Sequence, residues 1–182
     1  MYLTLSLLIA AAGPETGGGC AVTGAEADAQ SALSYAAFDG RTGATGWRQL
    51  NARGCTDAAV ALLERYRAAN GSRLTAAERR EIAFHIGQAL AFAGRDGEAL
   101  GAFRQADGTD ADAEWRAFVA GTIAFLGRDP AGLAAARAAY AAAPGADPMR
   151  LRVLDGFIAC PRRSYMEAAH CAMPGRTEGD GS

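Results

Sequence analysis

From Thr75 to Ala106 the chain reads TAAERREIAFHIGQALAFAGRDGEALGAFRQA, and the reading of this stretch decides the fold. Thr75, with Glu78 three residues on, forms a capping box in which hydroxyl and carboxylate satisfy N–H groups at the start of a helix. Ile82, Ile86, Ala89, Leu90 and Ala93 fall three or four apart, so they share the inner face of a helix running to about Ala93. Gly94-Arg95-Asp96-Gly97 then turns the chain: Gly ends one helix and Asp begins the next. Ala99, Leu100, Phe103 and Ala106 line the helix that returns. One such pair cannot shield its own apolar face and must stack on others of its kind.

The same grammar continues in both directions. Towards the C-terminus, Trp115, Phe118, Val119, Thr122, Ile123 and Leu126 form an apolar stripe, Gly127-Arg128-Asp129-Pro130 turns, and Leu133, Ala136 and Tyr140 continue to Pro144. A shorter fourth pair has Leu151, Leu154 and Ile158 before Cys160-Pro161, then a helix capped by Ser164 and ending near Cys171. Towards the N-terminus, Ala59, Leu62, Leu63 and Tyr66 mark a helix over 56–69, preceded by a short one over 43–52 with Trp47 and Leu50. A further helix is predicted over 25–38, stopped by Asp39-Gly40. The turn residues Gly54, Gly94 and Gly127 lie 40 and 33 residues apart, with Arg163 in the equivalent place 36 further on. No run of β-branched residues alternates with polar ones. The expected class is all α: about four antiparallel helical hairpins stacked together, with an extra N-terminal helix.

Half of the 182 residues are apolar and 21% are charged, enough for one continuous core. Every basic residue other than the two histidines is Arg, interspersed with Asp and Glu to a formal charge of -2. With no basic stripe, nucleic acid is not an expected partner. Residues 1–12 form an apolar run too short to span a bilayer but of the length of a signal-peptide core, with small Ala10 and Ala12 ahead of Gly13. No Lys or Arg precedes this run, and a buried N-terminal helix is the alternative. Cys20 as a lipid-anchored residue is disfavoured, because Gly17-Gly18-Gly19 stands where a Leu and small residues belong. Residues 13–24 are expected to be flexible, 25–173 to be the helical domain and 174–182 to be a polar disordered tail.

Four cysteines in an exported chain imply disulfides. Of the three pairings, Cys20 with Cys55 and Cys160 with Cys171 are favoured, since each staples a weakly packed end of the stack. Free buried thiols are the alternative if the chain is not exported.

Gly87 and Leu90 on the first helix, Gly94 at the turn, and Ala99, Phe103 and Ala106 on the second resemble a tetratricopeptide repeat in register. Ala120, Ile123, Gly127, Gly132, Ala139 and Pro144 repeat the pattern, and Gly156, Tyr165, Glu167 and Ala168 resemble the family's Y-x-E-A phrase. Leu50, Gly54, Ala59 and Leu63 keep less of it. The Sel1-like repeat is a related alternative that predicts nearly the same architecture. The resemblance implies a right-handed α-solenoid over about 43–173, in which Gly87 meets Ala99 and Phe103 fills the gap to the next hairpin. It also implies a concave groove lined by the first helix of each hairpin. Arg48, Phe84, His85, Gln88, Phe92, Glu114, Phe118, Gly121, Phe125 and Phe157 fall at groove positions. Exposed aromatics there would bind a peptide; packing between hairpins is the bland alternative.

The family's carboxylate clamp would fall on Ala44, Arg48, His85, Glu114 and Phe118, where only Arg48 suits a carboxylate and Glu114 repels one. His170 adjoins Cys171, but neighbours on a helix point about 100° apart, so no catalytic pair is built. No metal-ligand spacing, Walker A, dinucleotide fingerprint or G-x-S-x-G occurs. The expectation is an exported, non-catalytic interaction module without a cofactor, which binds a protein or peptide and has no membrane span in the mature chain. A small hydrolase or redox protein using Cys171 or Cys160, and a structural subunit of an envelope complex, are the alternatives.

Overall fold

The computed structural model describes residues 19–40 and 46–173. The expected signal peptide, the tail and Ala44 lie outside the described residues. Among the described residues there are ten helices and no strand: α1 (Gly24–Ser31), α2 (Tyr35–Asp39), α3 (Trp47–Ala52), α4 (Thr56–Asn70), α5 (Ala76–Phe92), α6 (Asp96–Ala106), α7 (Ala113–Leu126), α8 (Pro130–Ala142), α9 (Pro148–Ala159) and α10 (Tyr165–His170). The all-α expectation is met. The single helix expected over 25–38 is two. Ser34 breaks it by accepting the N–H of Ala37 and capping α2, while a Thr23–Glu26 capping box opens α1.

Helices adjacent in sequence pack on each other: α3 on α4, α5 on α6, α7 on α8 and α9 on α10. Contacts of α4 with α5, α6 with α7 and α8 with α9 join each pair to the next, so one core runs from Ala27 to Ala169. The N-terminal helices are tied on by Tyr66, whose hydroxyl donates to the Leu33 carbonyl, and by the buried Asn70, whose amide donates to Ser31. Phe38 stacks on the Tyr66 ring at 3.7 Å.

Three turns share one closure. Gly54 (φ 77°), Gly94 (φ 73°) and Arg128 (φ 58°) are left-handed, and the next N–H in each case returns to a carbonyl five residues back: Cys55 to Leu50, Arg95 to Leu90, Asp129 to Ala124. Gly127, aligned with Gly94 in the sequence, keeps a right-handed backbone (φ -75°). The true equivalent of Gly94 is therefore Arg128, and the spacing from 94 to 128 is 34 residues rather than 33.

A Cβ on Gly87 would lie 2.7 Å from the Phe103 ring, so Phe103 fills the space that glycine leaves. The fourth pair has a glycine against backbone: a Cβ on Gly156 would lie 2.3 Å from the Ala168 carbonyl oxygen. That contact seats α10 against α9. Cys20 and Cys55 (Cα–Cα 5.3 Å) and Cys160 and Cys171 (Cα–Cα 6.3 Å) are disulfide-paired, as favoured from the sequence. The first pair ties the segment before α1 to the start of α4; the second brackets α10.

Candidate functional site

The expected groove residues come together in two clusters, and the protein's own chain fills both. In the first, α3 presents Trp47 and Arg48 to the middle of α5. Trp47 is buried with its ring 4.6 Å from that of His85, and the Arg48 guanidinium lies over the indole at 4.3 Å. Arg48 donates to both carboxylate oxygens of Asp39 at 2.8 and 2.9 Å, and its Nε donates to the Asp39 carbonyl. His85 Nε2 lies 3.2 Å from the same carboxylate, and its Nδ1 lies 3.0 Å from Gln88 Oε1. Burial raises the Asp39 pKa, but the hydrogen bond from His85 and the charges of His85 and Arg48 outweigh it and hold the carboxyl below its ordinary value. Arg48 is thus committed to a carboxylate from within the chain.

The second cluster surrounds Tyr165 at the start of α10. Its ring lies 5.2 Å from that of Phe157, 5.5 Å from Phe92, 6.0 Å from Phe103 and 6.3 Å from Phe125. Its hydroxyl reaches the side chains of Gln88 and Thr122; burial nevertheless pushes the phenol above its usual pKa. A Ser164–Glu167 capping box starts α10 at the right place to deliver the ring. Gln88 belongs to both clusters, so contacts run from Asp39 through His85 and Gln88 to Tyr165.

Among the expected positions four aromatics are buried, and Glu114 is half-buried. Phe84, Phe118 and Phe125 are each 4% exposed and Phe157 is fully buried, which corrects the expectation of exposed groove aromatics. The cause is local geometry: Phe84 meets Phe103, Trp115 and Phe118, Phe118 meets Tyr140, and Phe125 stacks on Phe157 at 4.3 Å. Gly121 faces α9, since a Cβ there would lie 2.5 Å from Leu154. Glu114 stands beside the turn at Gly145. Asp39 and Tyr165 were not among the expected groove residues. Asp39 reads in sequence as a helix stop, and Tyr165 as part of a repeat phrase.

Beside the Tyr165 cluster the surface opens. A cleft of about 760 Å³ lies between the α7–α8 turn and the end of α9. Its floor includes Phe125, Leu133 and Ile158, and its rim Arg128, Asp129, Pro161 and Arg162. Ile158 is 44% exposed although large and apolar. The Arg128 guanidinium lies over Phe125 at 5.9 Å and donates to the Pro161 carbonyl at 2.6 Å. Asp129 caps α8 by accepting the Gly132 N–H at 2.9 Å.

No family model, curated protein or solved structure matches this chain. Among the described residues, no helix is long and apolar enough to cross a membrane.

Proposed function

We propose that the chain is an exported, non-catalytic interaction module whose helix pairs stack as a right-handed, tetratricopeptide-like solenoid and which binds a partner protein at the open end of its concave face. The observation that carries this reading is the position of Phe125. It is an expected groove residue that touches Tyr165 and also lines the cleft, so the filled groove continues into an unfilled apolar hollow. Large apolar side chains left in a concave surface favour a protein partner. Of the two spacings between the left-handed turn residues at 54, 94 and 128, the second, 34 residues, equals the period of the family and supports the repeat reading over that stretch; the first is 40. Two cysteine pairs support an oxidising compartment, with the periplasm as the proposed location.

A Cys-dependent enzyme is the weaker reading. All four cysteines are paired, and the partners of His85 are Asp39, Arg48 and Gln88, none of them a thiol that the imidazole could activate.

The test places a photo-crosslinking side chain at Ile158 and, separately, at exposed Arg53 on the far part of the chain. In native envelope, position 158 should capture a discrete partner that position 53 does not. The same products from both positions, or none from 158, would remove the reading.

A further inference from the structure

The charges around the cleft point to what occupies it. Arg128 and Arg162 stand on its rim, and neither has an ion-pair partner among the described residues. Arg128 is held in place without being neutralised, because its acceptor is the Pro161 carbonyl and its other face rests on Phe125. The acidic group nearby, Asp129, is turned to the N-terminus of α8 and engaged with the Gly132 N–H. Among the described residues six other arginines have acidic partners: Arg48 with Asp39, Arg65 with Asp28, Arg67 with Glu64, Arg80 with Asp110, Arg95 with Asp57 and Glu98, and Arg137 with Asp155. The same cleft is lined by Phe125, Leu133 and Ile158, so apolar surface and the two guanidinium groups share one hollow.

Guanidinium groups are matched by planar carboxylates, which take two parallel N–H donors. An apolar floor is matched by Leu or Phe side chains. We propose that this cleft binds a short partner segment in which Asp or Glu stands next to large apolar residues, the carboxylate meeting Arg128 and Arg162 and the apolar side chain resting on Ile158 and Phe125. The proposal rests on the cleft being the interaction site argued above and adds the chemistry of its occupant. It lies at the α7–α8 turn, away from the clamp positions near Arg48, whose guanidinium already holds Asp39.

Two synthetic hexapeptides test it, acetyl-Ser-Leu-Glu-Glu-Leu-Phe-amide and its counterpart with Lys at both Glu positions, titrated into isotope-labelled oxidised protein by NMR. The acidic peptide should shift the Ile158 and Leu133 resonances and bind roughly tenfold more tightly, the size expected of one charge-assisted hydrogen bond. Raising the salt should narrow the gap. Arg162→Glu should abolish or reverse the preference, and Ile158→Asp should weaken both peptides; both residues are exposed, and amide spectra check the fold of each variant. Equal affinity for the two peptides overturns the inference and leaves the cleft as an interaction site. Cleft resonances unmoved by either peptide overturn both readings.

Discussion

An alanine at position 156 should destabilise the protein, whereas an alanine at position 101 should stabilise it. Both glycines are inside helices, α9 and α6, and intrinsic propensity favours alanine by about 1 kcal/mol at either. Their surroundings differ. At Gly101 nothing lies within 4 Å of an added Cβ. At Gly156 the Cβ would lie 2.3 Å from the Ala168 carbonyl oxygen and 3.4 Å from the Ala172 amide nitrogen, both backbone atoms. No rotamer change relieves such a contact; α10 has to withdraw by about 1 Å to restore van der Waals distance. Withdrawal loosens Tyr165 among its four aromatic neighbours and pulls against the Cys160–Cys171 bracket. Overpacking of this kind costs about 1–3 kcal/mol. Set against the propensity gain, Gly156→Ala should lose up to about 2 kcal/mol, a fall in Tm of up to roughly 8 °C for a chain of this size. Gly101→Ala should gain up to about 1 kcal/mol. Urea unfolding of the oxidised proteins, followed by far-ultraviolet circular dichroism at matched slopes, measures both. If Gly156→Ala is as stable as Gly101→Ala, the close seat of α10 on α9 is wrong, and with it the internal filling of the groove.

Tyr165→Ala should cost about 3–5 kcal/mol in the same assay, the range for removing a buried aromatic, whereas Tyr165→Phe should cost only about 1 kcal/mol for the lost hydroxyl contacts to Gln88 and Thr122; near-equal costs would contradict an aromatic anchor. Asp39 titrates below its ordinary value, so its stabilisation is complete above the unfolded pKa of about 3.9 and is lost as pH falls through the lower folded value. Asp39→Asn should therefore flatten the acid limb below about pH 4 in urea midpoints measured down that range, and parallel acid limbs would remove the ion cluster. Reduction should raise the intact mass by four hydrogen atoms, and on loop length alone the Cys20–Cys55 pair, 35 residues apart, should contribute about 4 kcal/mol and the Cys160–Cys171 pair, 11 apart, about 3; serine replacement of each pair checks the order.

The helices themselves were legible in sequence because caps and periodicity are local properties. Thr75 with Glu78 acts as the capping box that the sequence places there, Ser164 caps α10 as expected with Glu167 completing a box, and α5 and α6 begin and end within a few residues of expectation. The slip of one residue at the third turn has a local cause as well. Glycine is the default for a left-handed backbone, so Gly127 reads as the turn residue, yet Gly127 caps α7 with a right-handed backbone and Arg128 takes the strained conformation. Groove against core was harder, because periodicity marks an apolar face without saying what covers it. One signal was available in α7. Ala117, Phe118, Val119, Gly121, Thr122, Ala124, Phe125 and Leu126 are all buried, and in the sequence they leave no wide polar face. A helix apolar nearly all round is enclosed on every side. Phe118 and Phe125 therefore belonged to an interior from the start, and only the identities of the covering residues, Phe84 and Tyr140 for Phe118 and Phe157 for Phe125, required three dimensions.

That enclosure bears on where a partner can bind. Arg48 and His85 hold the carboxylate of Asp39, and Gln88, Phe92, Phe125 and Phe157 hold Tyr165, so most of the expected groove residues are engaged by the chain itself. A peptide entering that part of the groove would first have to displace a fully desolvated tyrosine, losing packing worth about as much as the whole aromatic burial, roughly 3–5 kcal/mol. Among the described residues no side chain fills the cleft lined by Ile158, Leu133 and Phe125, so a peptide entering it displaces none of them. If the peptide itself were held equally well at the two places, its affinities would thus differ by a factor of hundreds or more, at about 1.4 kcal/mol for each tenfold. On the proposed reading, internal filling would place the favoured site at the cleft rather than beside Arg48 and Gln88, and the filled part would have a different duty, which is to fix the helices that shape the cleft.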